Sequence, residues 1–160
     1  MPCAAGSETW SAGNRTPRSE TPPSLRANPE LIPLASEEIL RRYAFVAPIR
    51  LVKKDHDFRG APLKEGERVM MFIPGASVDE NVYRDPTRFD MHRENNAHMA
   101  FGAGPHYCLG VHLARLELRI MYETILARLP EFRLDPDRPP TFHGSIIAGP
   151  SSIHLLWDGA

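Results

Sequence analysis

The sequence predicts a mainly α protein with small β-sheets, an α+β arrangement, and three observations carry that reading. The first is a helical period over residues 109–129, apolar at positions 109, 113, 116 and 120 and again at 114, 118, 121 and 125. So wide a stripe marks a core helix, and Pro130 ends it. The second is a capped start. Ser36 precedes Glu37 and Glu38, with Ile39, Leu40 and Tyr43 as the apolar positions and Pro48 closing the segment. The third is alternation of apolar and polar residues over Ile49 to Asp57 and Glu67 to Ile73, which reads as strands. Arg59-Gly60 and Lys64-Glu65-Gly66 supply the turns between them.

Composition bounds the function. The chain has 160 residues, 42% of them hydrophobic and 24% charged, which suits one globular domain. A formal net charge of -1 argues against nucleic acid or a charged membrane surface as partner. No apolar run reaches the length of a membrane span, and the first residues hold no apolar signal core, so a cytoplasmic address is the expectation. The two cysteines, Cys3 and Cys108, do not form a disulfide framework. Residues 1–24 are small and polar with no apolar period, and are expected to be disordered; residues 25–160 form the ordered part.

Chemistry concentrates in Phe101 to Arg115, read as FGAGPHYCLGVHLAR. One cysteine sits in a Gly-rich loop that feeds directly into the long helix. A metal takes the thiolate, and the unpaired N–H groups and positive dipole of a helix start favour that anion at Cys108. Gly102 and Gly104 permit positive φ and a close backbone approach to a flat cofactor, and Gly110 leaves room beside it. Upstream, Glu38 and Arg41 are three apart and share one helix face, placed to form an ion pair.

The spacing F-x-x-G-x-H-x-C-x-G over Phe101, Gly104, His106, Cys108 and Gly110 resembles the haem-binding loop of the cytochrome P-450 superfamily. The ending Leu113-Ala114-Arg115 is similar to its bacterial soluble class. That resemblance implies haem b as cofactor, Cys108 as axial iron ligand and His106 as a donor to a haem propionate. It also implies Phe101 and Gly102 around the sulfur, Gly110 under the porphyrin, and Arg50 against a propionate. Residues 25–48 resemble the approach to and body of the family's E-x-x-R helix. Arg88, in Pro86-Thr87-Arg88-Phe89, takes the position of the later arginine that joins Glu38 and Arg41 in a buried structural triad.

The same resemblance places Val46, Ile146 and Ile147 at the substrate pocket, the last two at the tip of a C-terminal hairpin (GSIIAGPSSIHLLW). An apolar substrate is the expectation. Arg115 becomes a candidate contact for a ferredoxin-type electron donor. Ser77-Val78-Asp79 stands where the family commonly carries Asn-Arg-Asp, and His92 and His98 read as hydrogen-bonding residues of the loop before the cysteine. Ala5-Gly6-Ser7-Glu8-Thr9 has the form of the oxygen-activating motif, but its polar, Gly- and Pro-bearing surroundings do not make the long apolar helix that motif needs, so no site is assigned to Glu8 or Thr9.

What the resemblance implies is a monooxygenase sequence, inserting one atom of dioxygen into an organic substrate, of which this chain keeps the haem-ligand half with little or no activity alone. A non-catalytic haem-binding remnant or truncated gene product is the alternative. A cysteine nucleophile with His106 as base is a third reading, and no orienting third group supports it.

Overall fold

The computed structural model describes residues 25–144 and 146–157; the expected disorder of residues 1–24, with Cys3, Glu8 and Thr9, lies outside them. Among the described residues, 25–27 are helical, and after them come three further α-helices, eight short strands and two 3-10 turns. The three helices are α1 (Ile32–Arg42), α2 (Ile73–Ala76) and α3 (Val111–Arg128). The strands are β1 (Ile49–Leu51), β2 (His56–Phe58), β3 (Ala61–Leu63), β4 (Arg68–Met70), β5 (Phe132–Leu134), β6 (Thr141–His143), β7 (Gly149–Ser152) and β8 (Leu155–Trp157).

Helix α1 begins four residues before the expected cap at Ser36. Pro33 stands in its first turn, where a missing N–H costs no hydrogen bond, and Pro29 opens the 3-10 turn Pro29–Leu31 that leads in. Ser36 is therefore interior, and its hydroxyl donates back to the Ile32 carbonyl oxygen at 2.8 Å. The helix also stops earlier than Pro48. Tyr43 caps it through its N–H to Ile39 O, and the freed backbone runs extended to pair with the C-terminal segment.

Four antiparallel pairs replace any large sheet: β1 with β4, β2 with β3, β5 with β8 and β6 with β7. The run Ile49 to Asp57 is thus two strands. β1 pairs in the register Ile49↔Met70, Arg50↔Val69 and Leu51↔Arg68. β2 turns straight back on β3 through Arg59 and Gly60, at φ 54° and 87°, the doubly left-handed turn that suits a two-residue hairpin. Asp55, between the two pairs, accepts from Lys64 Nζ at 2.7 Å and from the Glu65 N–H at 2.9 Å. Ile73 was read as a strand end; it starts α2 and is buried.

The core lies where α1 crosses α3. Leu25, Ile32 and Ala35 are buried there, with Leu31, Phe89, Met91, Tyr122 and Leu126 packed around them. Arg26 donates to the carbonyl oxygens of Leu126 and Pro130, satisfying the open end of α3. From α3, Tyr122 and Leu126 reach this core. Of its two expected apolar rows, one is half-buried at Ala114, Leu118 and Ile125, with Met121 exposed. Leu109, Leu113, Leu116 and Ile120 are exposed, so the core-helix expectation is corrected: one face of α3 is bare in this chain.

Candidate functional site: the cysteine loop and its supports

The loop before α3 closes on its own backbone. The Gly102 N–H donates to Met99 O at 2.8 Å, and the Cys108 N–H donates to Phe101 O at 2.9 Å. Two positive φ angles make this path possible, 76° at Gly102 and 64° at Gly104, where a side chain would be strained. A 3-10 turn, Gly104–His106, follows, and the Tyr107 N–H closes it on Gly104 O at 3.0 Å. Cys108 emerges exposed, with Leu109 fully exposed beside it and Gly110 as N-cap of α3. A Cβ built on Gly110 meets only the Cys108 sulfur, at 3.9 Å, an ordinary contact. The protein alone does not require glycine there.

Behind the loop sits a closed ionic cluster. Glu38 and Arg41 are fully buried and joined by two hydrogen bonds, Arg41 Nε to Oε2 at 2.7 Å and Nη2 to Oε1 at 2.8 Å. Arg41 also donates to Ser77 O at 2.5 Å and Pro86 O at 2.9 Å, and its guanidinium lies 5.0 Å from the Tyr83 ring centre. Glu38 Oε1 accepts further from the Asp90 N–H at 3.0 Å. Because Ser77 takes part through its backbone oxygen, its departure from the family's asparagine leaves that contact intact.

The third arginine is Arg93, a correction to the expectation of Arg88. Arg93 Nε donates to Glu38 Oε1 at 3.3 Å, and its other nitrogens reach the carbonyl oxygens of Arg84, Asp85 and Arg88. Arg88 contributes only that carbonyl to the cluster. Asp85, at φ 47°, bends the chain just before it, so the loop returns to Glu38 five residues later than its sequence spacing suggested.

A second carboxylate holds the cysteine loop. Glu37 accepts from Arg115 Nε at 2.6 Å and Nη2 at 2.8 Å, and meets His98 Nε2 at 3.3 Å. The Arg115 guanidinium lies 5.1 Å from the Phe101 ring, and the His98 ring stands 6.1 Å from the same ring. Hydrogen bonding to Arg115 holds the Glu37 carboxyl below its ordinary pKa, and the same bond raises the arginine's further. The sequence suggests Arg115 as a contact for an electron donor and assigns Glu37 no role beyond the first turn of the helix; the structure joins the two.

The remaining candidates fall in two groups. Val46 forms an antiparallel bridge with Ile147, flanked by Ala47 N–H to Ile146 O at 2.8 Å and Ala148 N–H to Phe45 O at 2.9 Å. Segments a hundred residues apart thus bring Val46, Ile146 and Ile147 together. Arg50 is exposed on β1 and donates to its own Ile49 O at 3.0 Å, and His106 is exposed in the loop. Among the described residues no hydrogen bond joins His106 to Cys108, and no cluster of three His, Cys, Asp or Glu residues stands ready for a metal ion.

The family profile described as Cytochrome P450 matches residues 21–157. The chain belongs to the cytochrome P450 family. It is 42% identical over 133 residues to a probable cytochrome P450 127A1 of Sinorhizobium fredii, covering 83% of this chain and 32% of that one. A steroid C26-monooxygenase of Mycolicibacterium smegmatis is 41% identical over 139 residues, covering 84% and 34%. The crystal structure of CYP101J2 superposes with a TM-score of 0.80 at 34% identity, over 85% of this chain and 34% of that one. The chain therefore spans about a third of the length of the curated relatives it matches. Cytochrome P450 proteins bind haem through a cysteine thiolate, and the exposed Cys108 with open space over Gly110 fits that group. No described helix is long and apolar enough to cross a membrane.

Proposed function

We propose that this chain is the haem-ligand part of a cytochrome P450 monooxygenase, with Cys108 as axial thiolate. The observation that carries the proposal is the exposed cysteine at the mouth of α3, on a loop whose two left-handed glycines and own hydrogen bonds fix its path. When bound, a haem whose iron carries a thiolate supplies activation of dioxygen, with electrons delivered by a redox partner. What the residues themselves do follows from their places. Cys108 stands two residues before the N-cap of α3, at the end of the helix whose open N–H groups favour an anion. His106 and Arg50 are exposed hydrogen-bond donors that would meet propionates. Val46, Ile146 and Ile147 offer an apolar wall to an apolar substrate. A ferredoxin-type donor would approach the surface over Cys108, on the side of Arg115.

By itself the chain turns over little or no substrate. Among the described residues nothing is packed over the exposed Cys108, so a haem held there would be open to water, where an oxidising centre is not shielded. That same exposure supports the second reading, a haem-binding remnant without catalysis.

Reconstitution with haem, then reduction under carbon monoxide, tests the proposal. A strongly red-shifted Soret band that Cys108→Ala abolishes is the expected result. Absence of haem uptake, or a band typical of a neutral ligand, would sink it. Regiospecific hydroxylation by this chain alone would overturn the inactivity and exclude the remnant.

A further inference from the structure

We propose that Glu37 is a positioning residue for the cysteine loop, one carboxylate stapling both limbs of that loop to α1. The inference rests on Cys108 being the ligand, and deepens it by naming what holds the ligand in place.

The geometry is specific. His98 lies ten residues before Cys108 and Arg115 seven after it, so the two bracket the whole loop. Both converge on Glu37: Arg115 through two parallel hydrogen bonds at 2.6 and 2.8 Å, His98 through Nε2 at 3.3 Å. The His98 side chain is only 3% exposed, and its Nδ1 accepts from the Ala100 N–H at 3.3 Å, so its ring is fixed to the incoming limb. The Phe101 ring is held between the two, within 5.1 Å of the guanidinium and 6.1 Å of the imidazole. Phe101 in turn supplies the carbonyl that receives the Cys108 N–H. Glu37 thus acts on Cys108 through three contacts in series, and a paired fork of this kind restricts orientation as well as distance. Its neighbour Glu38 does different work, holding Asp90 and Arg93 directly while its partner Arg41 holds Ser77 and Pro86. Adjacent carboxylates on one turn of α1 therefore divide the loops between them.

Glu37→Gln keeps size and removes the charge, and the full chain carrying it is compared with the parent in two ways. In the haem-free protein, site-resolved amide exchange at Gly102 and Cys108 is expected to quicken about threefold, as when a local opening loses one partly exposed charged tie. Amides in residues 83–93 keep their rates. In the haem-loaded, carbon monoxide-reduced protein, part of the red-shifted band is expected to pass to the neutral-ligand position. The double variant Glu37→Arg with Arg115→Glu restores part of the loop protection, by re-forming the charge pair in reverse without the His98 arm. Unchanged loop exchange, or acceleration spread equally over residues 83–93, overturns the proposal. If the parent takes up no haem, the ligand assignment fails by that result, and the exchange comparison still decides whether Glu37 staples the loop.

Discussion

The two sides of the α1–α3 layer are finished to different degrees. On the α1 side, charge is buried and paired: Glu38 and Arg41 have no exposed side-chain surface, and each guanidinium nitrogen has an acceptor. On the outer side of α3, Leu109 is fully exposed and Leu113, Leu116 and Ile120 are each more than half exposed. Hydrophobic patterning alone would have assigned these regions the other way round. The contrast teaches which interactions this stretch of chain completes by itself. A carboxylate and a guanidinium three residues apart satisfy each other locally and recruit nearby carbonyls, whereas an apolar row is buried only if another element is laid over it.

The sharpest way to break the finished side is Glu38→Ala. It strands Arg41 in a site from which water is excluded, and losing one partner of a buried pair costs about 3–5 kcal/mol. Native stability is only about 5–15 kcal/mol, so the variant should have lost most of its helical signal at low denaturant. A denaturation midpoint within error of the parent's would show that the cluster is not what holds residues 77–93 to α1.

Next in size is the choice between two arginines. Arg93→Ala removes the Nε donor to Glu38 and three bonds to carbonyl oxygens, and should cost about 1–3 kcal/mol by chemical denaturation. Arg88→Ala leaves the carbonyl in place and should stay within about 0.5 kcal/mol. The reverse order would reinstate Arg88 as the third arm.

How far this was legible from the sequence follows from the same residues. Glu38 and Arg41 could be paired from their spacing, because i and i+3 share a face whatever the surroundings. The loop glycines could be read for the same local reason. Arg93 could not, since its place depends on the left-handed turn at Asp85 and on carbonyls from three separate residues. Glu37 was missed because its partners lie 61 and 78 residues away, and no local rule pairs across such distances. The bare row on α3 was misread for a further reason. A helical period shows that a face is apolar; it does not say whether this chain contains what covers it.

That row gives the third test. Leu113→Lys with Leu116→Lys changes exposed positions and should move stability by no more than about 0.5 kcal/mol. The same pair should lower self-association at high concentration, read by sedimentation, because contiguous exposed apolar surface favours contact between copies. A large loss of stability would instead mean that the row is covered from within the chain.

The smallest effect, and the one that best separates the two neighbouring glutamates, is the response of the cysteine loop to acid. Hydrogen bonding to Arg115 lowers the Glu37 pKa in the folded chain. A group so lowered adds stability above its unfolded pKa, about 4.3 for glutamate, and that contribution is lost as pH falls through the folded value. Exchange protection at Gly102 and Cys108, corrected for the intrinsic pH effect, should therefore decline as pH falls below about 4.3. Asp55 and Asp135 are also held low, by Lys64 and Arg138, but they act on the β2–β3 hairpin and on the segment after β5, so residue-level readout keeps the contributions apart. In Glu37→Gln the decline at Gly102 and Cys108 should vanish, because no proton is left to bind there. If it persists unchanged, some other carboxylate governs the loop, and the division of labour between Glu37 and Glu38 does not hold.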